Sequence, residues 1–252
     1  MKKSMATKKK VEMNCMKLGI MGGLGPLASA YFYEQITEMT RVRGDQDHLE
    51  IFLHSYPQIP DRTDYILDHD KPNPLPYMGE SAKILESLGA DVIAIPCITA
   101  HYFHDDLQSY TKVPIIHLIK EVADFLKRHD YQCVGLLATD GTVRSRIFQK
   151  ELEAQGIEVI VPNTTRQKDV MHVIYEDVKK GKRVNRTAFE RASGYLSDHG
   201  AEIIILGCTE LSIVRRDLKL DDHYLDAMQL LAAKAIVSCQ KPIKENYKYL
   251  VY

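Results

Sequence analysis

Five cysteines carry the most chemistry in this chain: Cys15, Cys97, Cys133, Cys208 and Cys239. They show no CxxC spacing and no paired zinc-ligand pattern. An odd count in a chain expected to be cytoplasmic argues for free thiols rather than a disulfide framework. Two of them stand apart. Cys97 ends the apolar run ADVIAIPC, Cys208 ends AEIIILGC, and a threonine follows each within two residues. A free cysteine has a pKa of about 8.5, and a helix N-terminus or a nearby cation brings it into the working range. Two such thiols facing one carbon can act as base and acid, removing a proton from one face and returning one to the other. Inert core packing is the competing reading of either cysteine alone. Their matched positions at strand ends favour chemistry for the pair. Cys133 starts a strand and Cys239 falls late in a helix, so both read as filler, and Cys15 lies in the N-terminal tail.

The elements around them alternate. LGIMGGLGP reads as a strand, a glycine turn and a helix with proline in its first turn, continuing through SAYFYEQITEMTRV. A strand is expected over 49–57 and a polar loop over IPDRTDYILDHDKPNP. A helix over YMGESAKILESLG follows. ADVIAIPC, VPIIHL, QCVGLLAT, IEVIVP and AEIIILGC are continuously apolar, as strands of a parallel sheet buried on both faces are. Helices are expected over IKEVADFLKRHD, GTVRSRIFQKELEAQG, 166–180, 186–199 and 223–239. Strands alternating with helices predict an α/β fold with mostly parallel sheets.

The chain also repeats itself. ADVIAIPCITA matches AEIIILGCTEL with an offset of 111 residues, and LGIMGGLGPLAS matches VGLLATDGTVRS with an offset of 116. Two pseudo-symmetric α/β domains are expected, the first over 17–115 plus 212–252, the second over 116–211. A flexible leader covers 1–16, with Met13 or Met16 as other starts. Ligands of parallel sheets bind beyond the carboxyl ends of the strands. The two cysteines and the two glycine turns lie at such ends, so the active site is expected in the cleft between the domains.

The totals exclude several classes. The formal net charge is −1, which gives no electrostatic reason to seek nucleic acid or an anionic membrane. No run of about 18 apolar residues predicts a membrane span, and no apolar stretch follows the basic N-terminus as a signal peptide requires. MGGLGP lacks the GxGxxG spacing of a dinucleotide site.

KLGIMGGLGPLAS, YPQIPDRT, IPCITAH, LLATDGTVRS and GCTEL occur in one order. Together they resemble the aspartate/glutamate racemase family, in its aspartate-racemase branch, from about residue 17 to about 240. The resemblance implies amino-acid racemisation between two α/β domains, without pyridoxal phosphate, nucleotide or metal, and it is compatible with a homodimer. Cys97 matches the cysteine of the family's PCNTAH motif and Cys208 that of its GCTE motif. Arg62, in IPDRT, resembles the residue that holds the distal carboxylate of acidic substrates, a role that suits a planar guanidinium. Lys179, in VKKG, matches a family lysine. Thr99, Thr142 and Thr209 resemble its hydroxyl ligands for the α-carboxylate and amine. Gln58 shares the Arg62 loop and is expected to line the site, and Glu210 and His101 stand close enough to tune a thiol. Ile98 replaces the family's asparagine. It removes a side-chain donor to the substrate but neither proton-transfer group. Related readings on the same scaffold are a hydantoin racemase, a maleate isomerase and a non-catalytic amino-acid-binding protein.

Overall fold

The computed structural model describes residues 16–252, so the expected leader, with Cys15, lies outside the described residues apart from Met16. Two parallel sheets organise the chain. The first has the order β2-β1-β3, from β1 (Leu18–Gly22), β2 (Ile51–Ser55) and β3 (Val92–Ala94). The second has the order β5-β4-β6-β7, from β4 (Cys133–Ala138), β5 (Glu158–Ile160), β6 (Ile203–Gly207) and β7 (Tyr224–Asp226). An isolated parallel bridge from Ile93 to Ile115 gives the first sheet a counterpart of β7. The expected strand VPIIHL is reduced to that bridge, because Pro114 has no N–H to offer a ladder.

The two halves follow the repeat, with β1 matching β4, β2 matching β5 and β3 matching β6. β1, β3 and β6 are buried at every residue, as are the last five residues of β4. The domain boundaries need one correction. Segment 212–226, assigned by sequence to the first domain, belongs with the second sheet, because β7 pairs with β6 from Tyr224 to Asp226. The chain returns to the first half after that, where Thr40 bridges Ile243. β7 is three residues long, too short to separate by pattern from the helix behind it.

Helices α1 (Pro26–Met39) and α3 (Leu75–Ser87) flank the first sheet. Between them α2 (Arg62–Leu67) forms inside the expected loop, its first turn capped by Asp61, whose side chain accepts from the N–H groups of Thr63 and Asp64. Beyond β3, a 3₁₀ segment (Ile98–Phe103) runs into α4 (His104–Gln108), and α5 (Leu118–Arg128) leads into the second half. There α6 (Asp140–Ser145) and α7 (Ile147–Ala154) replace one expected helix, because Arg146 takes the left-handed conformation at φ 57°. The helix expected over 166–180 changes pitch. It starts as α8 (Thr164–Met171) and widens into a π-helical segment (His172–Val178). Helices α9 (Arg186–Asp198), α10 (Thr209–Leu218) and α11 (Ala227–Ser238) follow.

α11 is apolar on nearly every face, and Ala227, Met228, Leu230, Leu231, Ala232, Ala233, Ala235 and Ile236 are all buried. Such a helix must lie inside. It packs on α1 and α5, and one core cluster runs from Leu18 and Ile20 of the first sheet through α11 to Leu136 and Ile205 of the second. The halves are thus joined by shared core beneath the cleft, and their strand ends are left facing each other above it. Among the described residues no helix is long and apolar enough to cross a membrane.

Candidate active site

Each cysteine sits where a buried parallel strand gives way to a helix. Cys97 is the N-cap of the 3₁₀ segment and Cys208 the N-cap of α10, and neither side chain is used in capping. The unpaired N–H groups of these first turns therefore face the same space as the thiols. Both cysteines are buried, at 8% and 5% exposure. Both line one pocket, together with Leu24, Asp61, Arg62, Thr63, Ile98, Thr99, Thr139, Tyr175, Lys179, Thr209 and Glu210. The pocket is nearly filled by its own side chains, with a cavity of about 10 Å³, room for roughly one water. A larger pocket of about 540 Å³ adjoins it and shares Asp61, Arg62, Lys179 and Glu210. It is bounded by Pro26, Leu27, Ile59 and Ile213 and leads to solvent.

The halves touch across the site. Gly141 of α6 approaches Thr63 of α2 so closely that a Cβ there would lie 2.9 Å from the Thr63 Cα. Thr99 of the first half meets Thr139 and Thr142 of the second in a triangle of hydroxyls with edges of 3.0, 3.0 and 3.1 Å. Thr63 adds a fourth hydroxyl, donating to Thr139 at 3.3 Å. Lys179 reaches back from the end of the π-helical segment, with Nζ 3.8 Å from the Asp61 carboxylate and 3.7 Å from the centre of the Tyr175 ring.

The charges around the two thiols differ. The Cys208 Sγ donates to Glu210 Oε2 at 2.8 Å, and Thr209 Oγ1 donates to the same oxygen at 3.1 Å. Burial first, then the Glu210 carboxylate, push the Cys208 thiol well above the usual range, with Lys179 opposing. On the other side Arg62 is buried, and its guanidinium donates to the carbonyls of Ile59, Pro60 and Leu24 at 3.0–3.3 Å. Its Nε is buried without a hydrogen-bond partner. Burial disfavours the Arg62 cation, but Cys97 and Asp61 beside it work the other way and the net shift is upward. Lys179 behaves alike: burial works against the cation, Glu210 is the largest opposing charge, and the net shift is again upward.

Most of the residues expected from sequence therefore meet. Cys97, Cys208, Arg62, Ile98, Thr99, Lys179 and Thr209 line the pocket. Thr142 stands one layer behind, fully buried and bonded to Thr99. Gln58 does not join them. It is exposed, and its neighbours Pro57 and Ile59, not Gln58, line the adjoining pocket. Proximity along an irregular loop does not fix a side chain's direction. Asp61, Thr63, Thr139 and Tyr175 join the site without a sequence expectation. Asp61 and Thr139 are N-caps whose residue types signal helix starts, whereas Tyr175 is aimed by the π-helical segment, which leaves no mark in the apolar periodicity.

The sequence profile of the Asp/Glu/Hydantoin racemase family matches residues 21–235. The chain belongs to that family. It is 28% identical to the broad specificity amino-acid racemase RacX of Bacillus subtilis, over 87% of this chain and 96% of that one. The solved Picrophilus torridus aspartate racemase superposes with a TM-score of 0.82 at 30% identity, covering 94% of this chain and 100% of that one. An aspartate racemase homologue from Pyrococcus horikoshii gives a TM-score of 0.72 at 27% identity, covering 89% and 99%. A Francisella tularensis glutamate racemase solved with D-glutamate shares the fold, at 19% identity and a TM-score of 0.63 over 88% and 80%.

Proposed function

We propose that this protein is a cofactor-independent amino-acid racemase in which Cys97 and Cys208 move the α-proton. The observation that carries the reading is their convergence. Two thiols from matched strand ends of a duplicated fold line one buried pocket from opposite halves. In one direction Cys208, bonded to Glu210, serves as the acid, and Cys97, beside the Arg62 cation, serves as the base. Cys97 then takes the α-proton from one face of the substrate, and Cys208 delivers its own to the other. The turnover leaves the proton on Cys97 and the charge on Cys208, which is the starting state for the reverse direction. The hydroxyls of Thr99, Thr139 and Thr209 and the N–H groups at the start of α10 hold the amine and carboxylate.

The substrate class is an amino acid of the aspartate or glutamate type or a related one. Arg62 and Lys179 supply positive charge, and Ile98 supplies an apolar wall where the family carries asparagine. The near-filled pocket admits a substrate only when side chains at its mouth move, and Lys179 and Asp61 form that mouth.

The purified protein, with no added cofactor, is expected to convert at least one L-amino acid from an acidic and neutral panel into its D-isomer. Cys97→Ala and Cys208→Ala should each lower that rate by about 10²–10⁴-fold. Chiral chromatography reads the outcome. Turnover near the wild-type rate in either variant would remove the two-thiol mechanism. Binding of an amino acid with no D-product would favour the binding-protein reading.

A further inference from the structure

Beyond the pocket, three histidines gather where the 3₁₀ segment passes into α4 and where α5 begins. The rings of His104 and His117 lie 4.1 Å apart between centroids, and His101 lies 6.2 and 6.3 Å from them. One ligand atom each from His104, Asp105 and His117 fall within 4.8 Å of one another. We propose that these three residues form a divalent transition-metal site, of the zinc, cobalt or nickel class, joining α4 to α5.

The hydrogen bonding at His104 carries the argument. Its Nε2 faces the Ile115 carbonyl at 3.1 Å and its Nδ1 faces the Asp105 carboxylate at 3.2 Å. Both partners only accept, so a ring with one proton satisfies one of them and leaves two lone pairs opposed at the other. A divalent cation between Nδ1 and Asp105 resolves this with a neutral ring, and the Nε2–H bond to Ile115 then orients the ligand from behind. The spacing also suits a metal. Tetrahedral zinc with bonds of about 2.0–2.1 Å sets neighbouring ligand atoms roughly 3.3 Å apart, close to the 3.2 Å seen between Nδ1 and the carboxylate, whereas His117, within 4.8 Å, has to close in to bind.

His117 completes the set. One of its ring nitrogens lies within 4.8 Å of the ligand atoms of His104 and Asp105. The Lys120 charge repels a bound cation, and the Asp105 carboxylate opposes it. Two imidazoles and a carboxylate leave a fourth position open to water and suit zinc, cobalt or nickel better than calcium or magnesium. Cys97 lies seven residues before His104, outside the cluster.

Cobalt(II) titration of the full chain tests this site separately from catalysis, because none of the three residues lines the catalytic pocket. One equivalent should bind with visible d–d bands and without a sulfur-to-cobalt charge-transfer band. His117→Ala should weaken binding by tenfold or more. Asp105→Asn, at a fully exposed side chain that leaves the fold undisturbed, should weaken it measurably, with racemisation unchanged in both variants. Absence of stoichiometric binding would overturn the proposal. So would binding that carries the sulfur band and persists in both variants.

Discussion

Cys97 and Cys208 are the same functional group in opposite fields. Arg62 stands by one and Glu210 by the other, so a matched pair of sulfurs sits in unmatched electrostatic surroundings. Glu210→Gln should undo part of that asymmetry. With the carboxylate charge gone, the Cys208 thiol becomes more acidic, and more of it is thiolate at any pH below its pKa. Mass-spectrometric alkylation rates of Cys208 from pH 7 to 10 should rise in the variant, by about tenfold wherever the pKa has fallen by one. An unchanged profile would mean that burial alone governs the thiol. The cysteines were legible in the sequence because each ends an apolar run and the runs match. Arg62, Thr99 and Thr209 were legible only through motif resemblance, since a polar residue in a loop carries no signal of direction. Gln58 shows the limit of that reasoning: it shares the Arg62 loop and is exposed.

At the scale of elements, the turn between β1 and α1 is held by backbone fit. Gly23 has φ +84°, and a Cβ there would lie 2.3 Å from the Tyr56 nitrogen. Neither the conformation nor the space admits a side chain. Gly23→Ala should lower unfolding free energy by more than about 2 kcal/mol, measured by urea denaturation. A loss below about 0.5 kcal/mol, on the order of a surface change, would show that the turn can open without cost. The strands and most helices followed from apolar periodicity. The departures fall where local geometry leaves a regular period: the left-handed Arg146 that divides α6 from α7, the π-helical segment behind Tyr175, and the three-residue β7. Of these, the π-helical segment bears most on function, because it sets Tyr175 and Lys179 over the pocket.

At the scale of the molecule, duplication places the site and α11 makes it one body. Because α11 serves both sheets, the halves should unfold together. Leu231 is fully buried in that shared core. Leu231→Ala should cost about 2–5 kcal/mol while leaving a single transition by far-UV and near-UV circular dichroism. Two separated transitions would show that the halves are energetically independent. The duplicated pattern made this architecture legible from sequence. The exchange of 212–226 to the second half was not, because connectivity between similar βα units is decided by packing rather than by pattern.

The central claim is proton transfer at Cα by two thiols on opposite sides, and hydrogen isotope exchange tests it most directly. Incubation of the cofactor-free enzyme with an L-amino acid substrate in deuterium oxide is followed by α-proton NMR and by chiral chromatography of the same samples. The two-thiol account predicts that the D-isomer forms fully deuterated at Cα from its first appearance, and that Cys97→Ala and Cys208→Ala each slow its formation by about 10²–10⁴-fold. D-isomer that retains protium at Cα, or that forms at the wild-type rate without one of the thiols, would contradict it.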